Sequence, residues 1–126
     1  MSNLDKEIKF LPVNIAIVSV SDTRSLKEDF SGDFLSERIK GSGHHLIERH
    51  MVKDNKKEIK NIIFKLVDNK KVDVVLTTGG TGITGKDLTP EVFKEVLEKE
   101  IPGFGELFRW LSYKKIATST IQSRAM

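Results

Sequence analysis

Residues 72–91 read Val-Asp-Val-Val-Leu-Thr-Thr-Gly-Gly-Thr-Gly-Ile-Thr-Gly-Lys-Asp-Leu-Thr-Pro-Glu, the most informative stretch of the chain. An apolar strand runs into a glycine-rich turn, and a helix follows with Thr89 as its expected N-cap and Pro90 at its first position. Glycines adopt backbone angles that other residues avoid, so successive amide groups in such a turn can point at one anion. The order of strand, glycine turn and helix therefore predicts an anion-binding turn in an α/β protein.

The predicted turn, called here the glycine cradle, consists of Gly79, Gly80, Thr81 and Gly82. Lys86 and Asp87 follow it, a cation that pairs with phosphate beside a carboxylate of the kind that binds magnesium. A Walker A loop is excluded because Asp87 stands where Ser or Thr is required. A dinucleotide fingerprint fits poorly because the helix starts only near Thr89. An ordinary surface loop is the remaining alternative.

Composition limits the function classes. The chain has 126 residues, 38% of them hydrophobic, which predicts one domain spanning residues 1–126. The formal charge of +3 arises from 21 basic and 18 acidic residues that are scattered along the chain, which favours an anionic small molecule over nucleic acid. There is no cysteine, so disulfides and thiolate metal sites are excluded. No apolar core of a signal peptide and no membrane-spanning run is present, and we expect a cytoplasmic protein without membrane contacts.

Periodicity predicts alternating strands and helices. Strands are expected at 13–20, 45–52 and 72–76, the second less buried and near a sheet edge. Apolar stripes indicate four helices. Their members are Phe34, Leu35 and Ile39 in a segment closed by Gly41 and Gly43; Ile59, Ile62, Ile63, Leu66 and Val67; Phe93, Val96 and Leu97 in a helix ended by Pro102 and Gly103; and Phe104, Leu107, Phe108 and Leu111.

This order predicts a three-layer, Rossmann-like α/β fold with a mostly parallel sheet and helices on both faces. Ligands of such sheets bind beyond the carboxyl ends of the strands. Three loops would meet there, at 19–24, 53–55 and 77–87. The histidines 44, 45 and 50 lack a metal-binding pattern, and Trp110, which lies off its helix's apolar stripe, is expected at an oligomer contact.

Four motifs resemble one known family. They are Val-Ser-Val-Ser-Asp at 18–22, residues 77–91, Pro-Gly-Phe-Gly-Glu at 102–106 and Thr-Ser-Thr-Ile-Gln-Ser-Arg-Ala at 118–125. Together they resemble the MoaB/MogA family of molybdenum cofactor biosynthesis proteins, most closely its bacterial MoaB branch. The resemblance covers nearly the whole chain and implies a MogA-like fold.

The resemblance implies adenylylation of molybdopterin by ATP with Mg²⁺, which yields adenylyl-molybdopterin and pyrophosphate. It assigns substrate binding to the glycine cradle and catalytic and metal-binding roles to Asp54 and Asp87. Further substrate-binding positions are Ser19, Asp22, Lys86 and Glu106, with Lys86 where active relatives often have Arg.

The resemblance also implies a homotrimer or homohexamer and contacts with other proteins of the pathway. Family members continue past the Ser-Arg-Ala motif, so we expect the family's final strand and helix to be missing from a chain that stops at Met126. Two alternatives remain open: a pathway protein that binds the pterin or a precursor without catalysis, and an inactive oligomeric scaffold.

Overall fold

A computed structural model describes residues 7–126 of the chain. In chain order the elements are β1 (Asn14–Val20), a short 3-10 helix (Leu26–Glu28), α1 (Phe30–Gly41), β2 (His45–Val52), α2 (Lys56–Asp68), β3 (Val74–Thr78), α3 (Thr89–Val96), α4 (Pro102–Ile116) and a second 3-10 helix (Ala117–Gln122). Asp5 and Lys6, part of the polar amino-terminal stretch, lie outside the described residues.

The three strands form one parallel sheet in the order β2-β1-β3. The central strand, β1, turns alternate side chains toward two helical layers. Ala16, Val18 and Val20 pack with α2 and α3, whose buried residues include Ile59, Ile63, Leu66 and Val92. Ile15 and Ile17 pack with Ile39 of α1 in a second cluster. The predicted three-layer α/β fold is confirmed, and β2 lies at a sheet edge as predicted.

The boundaries around α3 differ from the sequence-based expectation. The helix has Leu88 at its N-cap and no side-chain cap bond, because the Thr89 hydroxyl donates to the Gly79 carbonyl instead. Pro102 and Gly103 do not end this helix. They open α4, where proline fits the first turn because its missing N–H would have no helical partner. The third strand also starts later, at Val74, after a turn in which the Val72 amide donates to Asn69.

Helical periodicity overstated burial at some positions. Phe34 of α1 and Val67 of α2 are 57% and 67% exposed, although both lie in apolar stripes. The core residue of α3 is Val92, which is fully buried, while Leu97 is partly exposed. Apolar spacing predicts which side chains share a face, but not how much of that face another element covers.

The helix α4 exposes its apolar stripe. Phe104, Leu107, Phe108 and Leu111 are each about half exposed, between 46% and 57%, and Trp110 is 62% exposed beside Lys114. Its main tertiary neighbour is the second 3-10 helix. Within residues 7–126, no helix is both long and apolar enough to cross a membrane.

Candidate functional site

The glycine cradle begins where β3 ends, and two of its glycines are required by the backbone. Gly79 has a φ of 94° and Gly80 a φ of 65°, values that L side chains rarely adopt. A Cβ atom on Gly79 would lie 2.1 Å from the Val20 carbonyl oxygen, and one on Gly80 would lie 2.3 Å from Thr89 Oγ1. Gly82 has no positive φ, contrary to expectation, but a Cβ there would lie 2.6 Å from Asp87 Oδ2.

The hydrogen bonds of the cradle leave donors available and occupy acceptors. The Thr89 hydroxyl donates to the Gly79 carbonyl at 2.9 Å and the Thr89 amide to the Gly80 carbonyl at 3.1 Å. Arg124 Nε donates to the Gly82 carbonyl at 2.8 Å. Within the described part of the chain, the amide groups of Gly80 and Thr81 donate to no acceptor. A turn with engaged carbonyls and available N–H groups is suited to bind an anion.

Asp87 closes the loop that follows the cradle. Its Oδ2 accepts hydrogen bonds from the Thr84 hydroxyl at 2.6 Å and the Thr84 amide at 2.9 Å. The Asp87 amide donates in return to the Thr84 carbonyl at 3.1 Å. The Thr84 hydroxyl, followed by the Thr84 and Gly82 amides, holds the pKa of the Asp87 carboxyl below its ordinary value. Asp87 is therefore ionised at neutral pH, and its carboxylate is fixed beside Gly82.

Asp54 approaches the cradle from the loop after β2. Its Oδ1 accepts a hydrogen bond of 3.0 Å from the Leu88 amide, just before α3. Its own amide donates to Asp22 Oδ1 at 3.0 Å, which brings the loops after β1 and β2 together. Burial raises the pKa of the Asp54 carboxyl, and the negative charges of Asp22, Asp87 and Glu91 raise it further, against the effect of the Leu88 bond. Asp54 thus carries a partly desolvated charge among other carboxylates.

These carboxylates are suited to a magnesium ion. A Cβ atom on Gly80 would lie 2.9 Å from Asp54 Oδ2, and one on Gly82 would lie 2.6 Å from Asp87 Oδ2. Each carboxylate therefore borders one glycine of the cradle. Mg²⁺ is commonly held by one or two carboxylates together with substrate phosphates. Within residues 7–126, no cluster of three or more His, Asp or Glu side chains could hold a metal alone. The donor set therefore fits an ion that arrives with a phosphate ligand.

An open groove of about 780 Å³ adjoins the cradle. Its lining includes Thr77 of β3, Thr81 of the cradle and Thr89 of α3, together with aromatic residues such as Phe30 and Phe104. Lys86, four residues after Gly82, is exposed, and its ammonium forms no ion pair within the described residues. The groove can accommodate a ligand that carries both a phosphate and a largely apolar ring.

Ser19 has a different environment from the one expected of a substrate-binding residue. It is buried, and its hydroxyl donates to Asp29 Oδ2 at 2.6 Å. Asp29 also accepts from the Gly32 amide, as N-cap of α1, and pairs with Arg49 at 3.1 Å. Burial opposes ionisation of Asp29, but Ser19, Gly32 and Arg49 outweigh it and hold the pKa of this carboxyl below its ordinary value. Ser19 lines a smaller pocket of about 250 Å³ next to Gly79, but its hydroxyl is already engaged.

The structure brings most of the predicted residues to one sheet edge, with one exception. The cradle, Asp54, Asp87 and Asp22 are joined by the contacts above. Glu106 is exposed on α4 and forms no hydrogen bond or ion pair with any of them within the described part of the chain. Its substrate-binding role stays a prediction without a structural contact.

Sequence reasoning missed two residues that shape the site. Arg124 binds the cradle and the start of α3, and Asp29 fixes Ser19. Asp29 precedes a helix and had a local signal, since Asp is a favoured N-cap residue. Arg124 lies in the family motif at 118–125, but nothing local indicated this contact, because its partner carbonyl at Gly82 is 42 residues away along the chain.

Comparison with protein families gives a match over residues 16–126 to the family described as "Probable molybdopterin binding domain". The chain is 41% identical over 126 residues to molybdenum cofactor biosynthesis protein B of Escherichia coli K12, covering all of this chain and 73% of that protein. It is 46% identical over 115 residues to the protein of the same name from Bacillus cereus, covering 90% of this chain and 68% of that protein.

Solved structures give the same result. A crystal structure of molybdenum cofactor biosynthesis protein B has a TM-score of 0.87 and 45% identity, covering 90% of this chain and 71% of that chain. The tungsten cofactor synthesizing protein MoaB from Pyrococcus furiosus has a TM-score of 0.79 and 36% identity, covering 90% of this chain and 70% of that chain. The resemblance inferred from the four motifs is confirmed.

Proposed function

Because the chain belongs to the MoaB/MogA family of molybdenum cofactor biosynthesis proteins, we propose that it is a molybdopterin adenylyltransferase. An oxygen of the pterin's terminal phosphate forms a bond to the α-phosphorus of ATP. The bond between that phosphorus and the oxygen bridging to the β-phosphorus breaks, and the electron pair leaves with pyrophosphate. Adenylyl-molybdopterin is the second product.

The polarity of the glycine cradle carries this proposal. Its carbonyls at Gly79, Gly80 and Gly82 are engaged by Thr89 and Arg124, while the amides of Gly80 and Thr81 remain available as donors. Such an arrangement stabilises negative charge on a phosphate and disfavours a cation at the same position. The groove beside it supports binding of a ring attached to that phosphate.

The chemistry needs little from an acid or a base. The attacking phosphate oxygen is already anionic, so the protein contributes by positioning the two phosphates and neutralising their charge. Backbone amides, and the ammonium of the exposed Lys86 when it reaches the ligand, would supply positive potential at the cradle. Asp54 and Asp87 would hold Mg²⁺, which when bound neutralises the developing charge on the leaving pyrophosphate. The role of the two aspartates is thus to place a cation beside the cradle.

Assembly and location are part of the proposal. We expect a homotrimer or homohexamer that buries the exposed stripe of α4 with Trp110, since an apolar surface of this kind is typical of an interface. Use of ATP favours a cytoplasmic location. Other proteins of the molybdenum cofactor pathway are expected to supply the pterin and receive the product.

Two measurements test the function together. Calorimetry with molybdopterin alone reports binding, and a pyrophosphate-release assay with molybdopterin, ATP and Mg²⁺ reports turnover. We expect saturable binding and pyrophosphate release that requires all three components. Binding without pyrophosphate release would indicate a pathway protein that binds the pterin without catalysis. No binding by folded protein would reject the cradle assignment and leave an oligomeric scaffold.

A further inference from the structure

We infer that Arg124 is a positioning residue of the site: its guanidinium locks the loop between Gly82 and Asp87 against the start of α3. The effect on turnover rests on the function proposed above. The effect on the loop does not.

One guanidinium contacts three parts of the site. Arg124 Nε donates to the Gly82 carbonyl at 2.8 Å, and Nη2 donates to the Asp87 carbonyl at 2.8 Å. Nη1 and Nη2 pair with the two carboxylate oxygens of Glu91 in the first turn of α3, the second at 3.2 Å. The two carbonyls mark the ends of the loop, so the planar side chain fixes the separation of its ends.

The loop depends on this clamp because it has few contacts of its own. Residues 83–86 are exposed, and the internal bonds of the loop join Thr84 to Asp87 and the Lys86 amide to the Thr84 hydroxyl. Those bonds fix the shape of the tip but do not attach it to the sheet. Arg124 attaches both ends to Glu91 of α3 and to the segment 123–125. Its positive charge also lowers the pKa of Asp87 alongside the stronger effect of Thr84.

A second arginine holds Arg124 in place. Arg109 of α4 donates from Nη1 to the carbonyls of Ser123 and Ala125, at 3.2 and 3.3 Å, on either side of Arg124. Gly105 allows this approach, since a Cβ there would lie 2.4 Å from the Ala125 carbonyl oxygen. The clamp is therefore built on α4 and reaches the cradle through one short segment, residues 123–125.

Lysine cannot replace this arrangement. An ammonium group is a point charge, whereas the guanidinium presents a rigid planar set of donors to Gly82, Asp87 and Glu91 at once. Arg124→Lys keeps the positive charge but loses the planar set of guanidinium donors. If the role were only charge balance for Glu91, lysine would be sufficient.

Amide hydrogen exchange measured by NMR on the full chain without ligand tests the clamp. In Arg124→Met and Arg124→Lys, the amides of Thr84 and Asp87 should exchange at least about tenfold faster, the size expected when charge-assisted bonds are lost. The amides of β1 should keep their wild-type rates. The control Arg38→Met removes an arginine that stacks on Phe34 of α1, 5.0 Å from the ring centroid, and should leave the loop unchanged.

Chemical rescue adds a readout that a general loss of stability would not give. Added ethylguanidinium should slow loop exchange in Arg124→Ala back toward wild type, and it should restore pyrophosphate release in the same concentration range. Unchanged loop exchange in Arg124→Met, or full protection in Arg124→Lys, would overturn the inference. If the Arg124 variants show the expected faster loop exchange but wild type gives no turnover, the clamp stands and the proposed reaction fails.

Discussion

The amide of Leu88 donates a hydrogen bond of 3.0 Å to Oδ1 of Asp54. This bond joins the loop after β2 to the residue that precedes α3, 34 positions later in the chain. It holds a carboxylate next to the glycine cradle even though burial and neighbouring negative charges raise the pKa of that carboxyl. A charge kept in an unfavourable position points to a role in binding a cation, which would relieve the repulsion.

Asp54→Asn should remove turnover while stabilising the fold at neutral pH. The pKa of the Asp54 carboxyl is raised in the folded state. Between the ordinary pKa and this raised value the folded protein binds more protons than the unfolded chain, so the stability falls as the pH rises between the two values. Asparagine removes the charge and can still accept the Leu88 bond. Urea denaturation should show the variant more stable than wild type at pH 7 and equal to it below the ordinary Asp value of 3.8. A less stable variant at pH 7 would contradict this.

Asp87→Asn should keep the fold and reduce adenylyl transfer by orders of magnitude, because the charge of a proposed metal ligand is lost. An asparagine oxygen can still accept the hydrogen bonds from Thr84, so loop exchange should stay close to wild type. The assay is pyrophosphate release as a function of Mg²⁺ concentration. A fully active Asp87→Asn protein would rule out the role.

Gly80→Val should abolish pterin binding without unfolding the core. Valine at a φ of 65° costs about 1–3 kcal/mol of strain, and its Cβ would lie 2.3 Å from Thr89 Oγ1. Gly41→Ala is the matched control, since a Cβ there meets no atom within 4 Å. Calorimetry with molybdopterin should separate the two variants, with binding lost in the first and kept in the second. Equal binding by both would mean that the cradle is only a connector.

Asp29→Ala should destabilise the fold by about 1–3 kcal/mol, because the N-cap bond to Gly32 and the bonds to Ser19 and Arg49 are lost together. The folded pKa of Asp29 is lowered, so its stabilisation is present above the ordinary value of 3.8 and disappears as pH falls through the folded pKa. Denaturation curves at several pH values should show that the stability difference between Asp29→Ala and wild type becomes smaller at acid pH. The control Asp33→Ala removes the exposed partner of Arg49 and should cost only about 0–1 kcal/mol. Equal losses of unfolding free energy in Asp29→Ala and Asp33→Ala would contradict the stabilising role of Asp29.

Trp110→Arg should lower the mass of the assembly measured by light scattering. Wild type is expected at three or six times the chain mass of 14.2 kDa, and a charge at position 110, beside the exposed apolar stripe of α4, should shift it toward the monomer. Phe64→Arg on α2, at another exposed aromatic position, should not change the mass. Circular dichroism must show that both variants remain folded. A monomeric, folded wild type would reject the assembly.

Local signals in the sequence predict the parts of this protein that depend on local physics. The Gly79 and Gly80 turn is predictable because only glycine tolerates its backbone angles, and α2 because Ile59, Ile63 and Leu66 recur on one face and all become buried. The predicted N-cap at Thr89 was wrong because a tertiary acceptor, the Gly79 carbonyl, takes its hydroxyl.

Contacts between segments that are distant along the chain could not be predicted from sequence patterns. The bonds of Arg124 join residues 33 to 42 positions apart, and no spacing rule connects them. Coverage of helix faces is equally non-local, which explains why Phe34, Val67 and the stripe of α4 are exposed despite regular spacing. The proposed role of Asp54 came from the family resemblance alone, whereas that of Asp87 came also from its place directly after the glycine cradle. The structure adds their shared position beside the cradle.

Transfer of label from ATP is the most direct test of the proposed adenylyl transfer to molybdopterin. Wild-type protein is incubated with molybdopterin and Mg²⁺ in two reactions, one with ATP labelled at the α-phosphorus and one with ATP labelled at the γ-phosphorus. We expect α-label in a pterin product and γ-label in pyrophosphate, in equal amounts, and neither product with Asp87→Asn. Labelled pyrophosphate without labelled pterin, or no transfer by folded protein that binds molybdopterin, would contradict the proposed transfer.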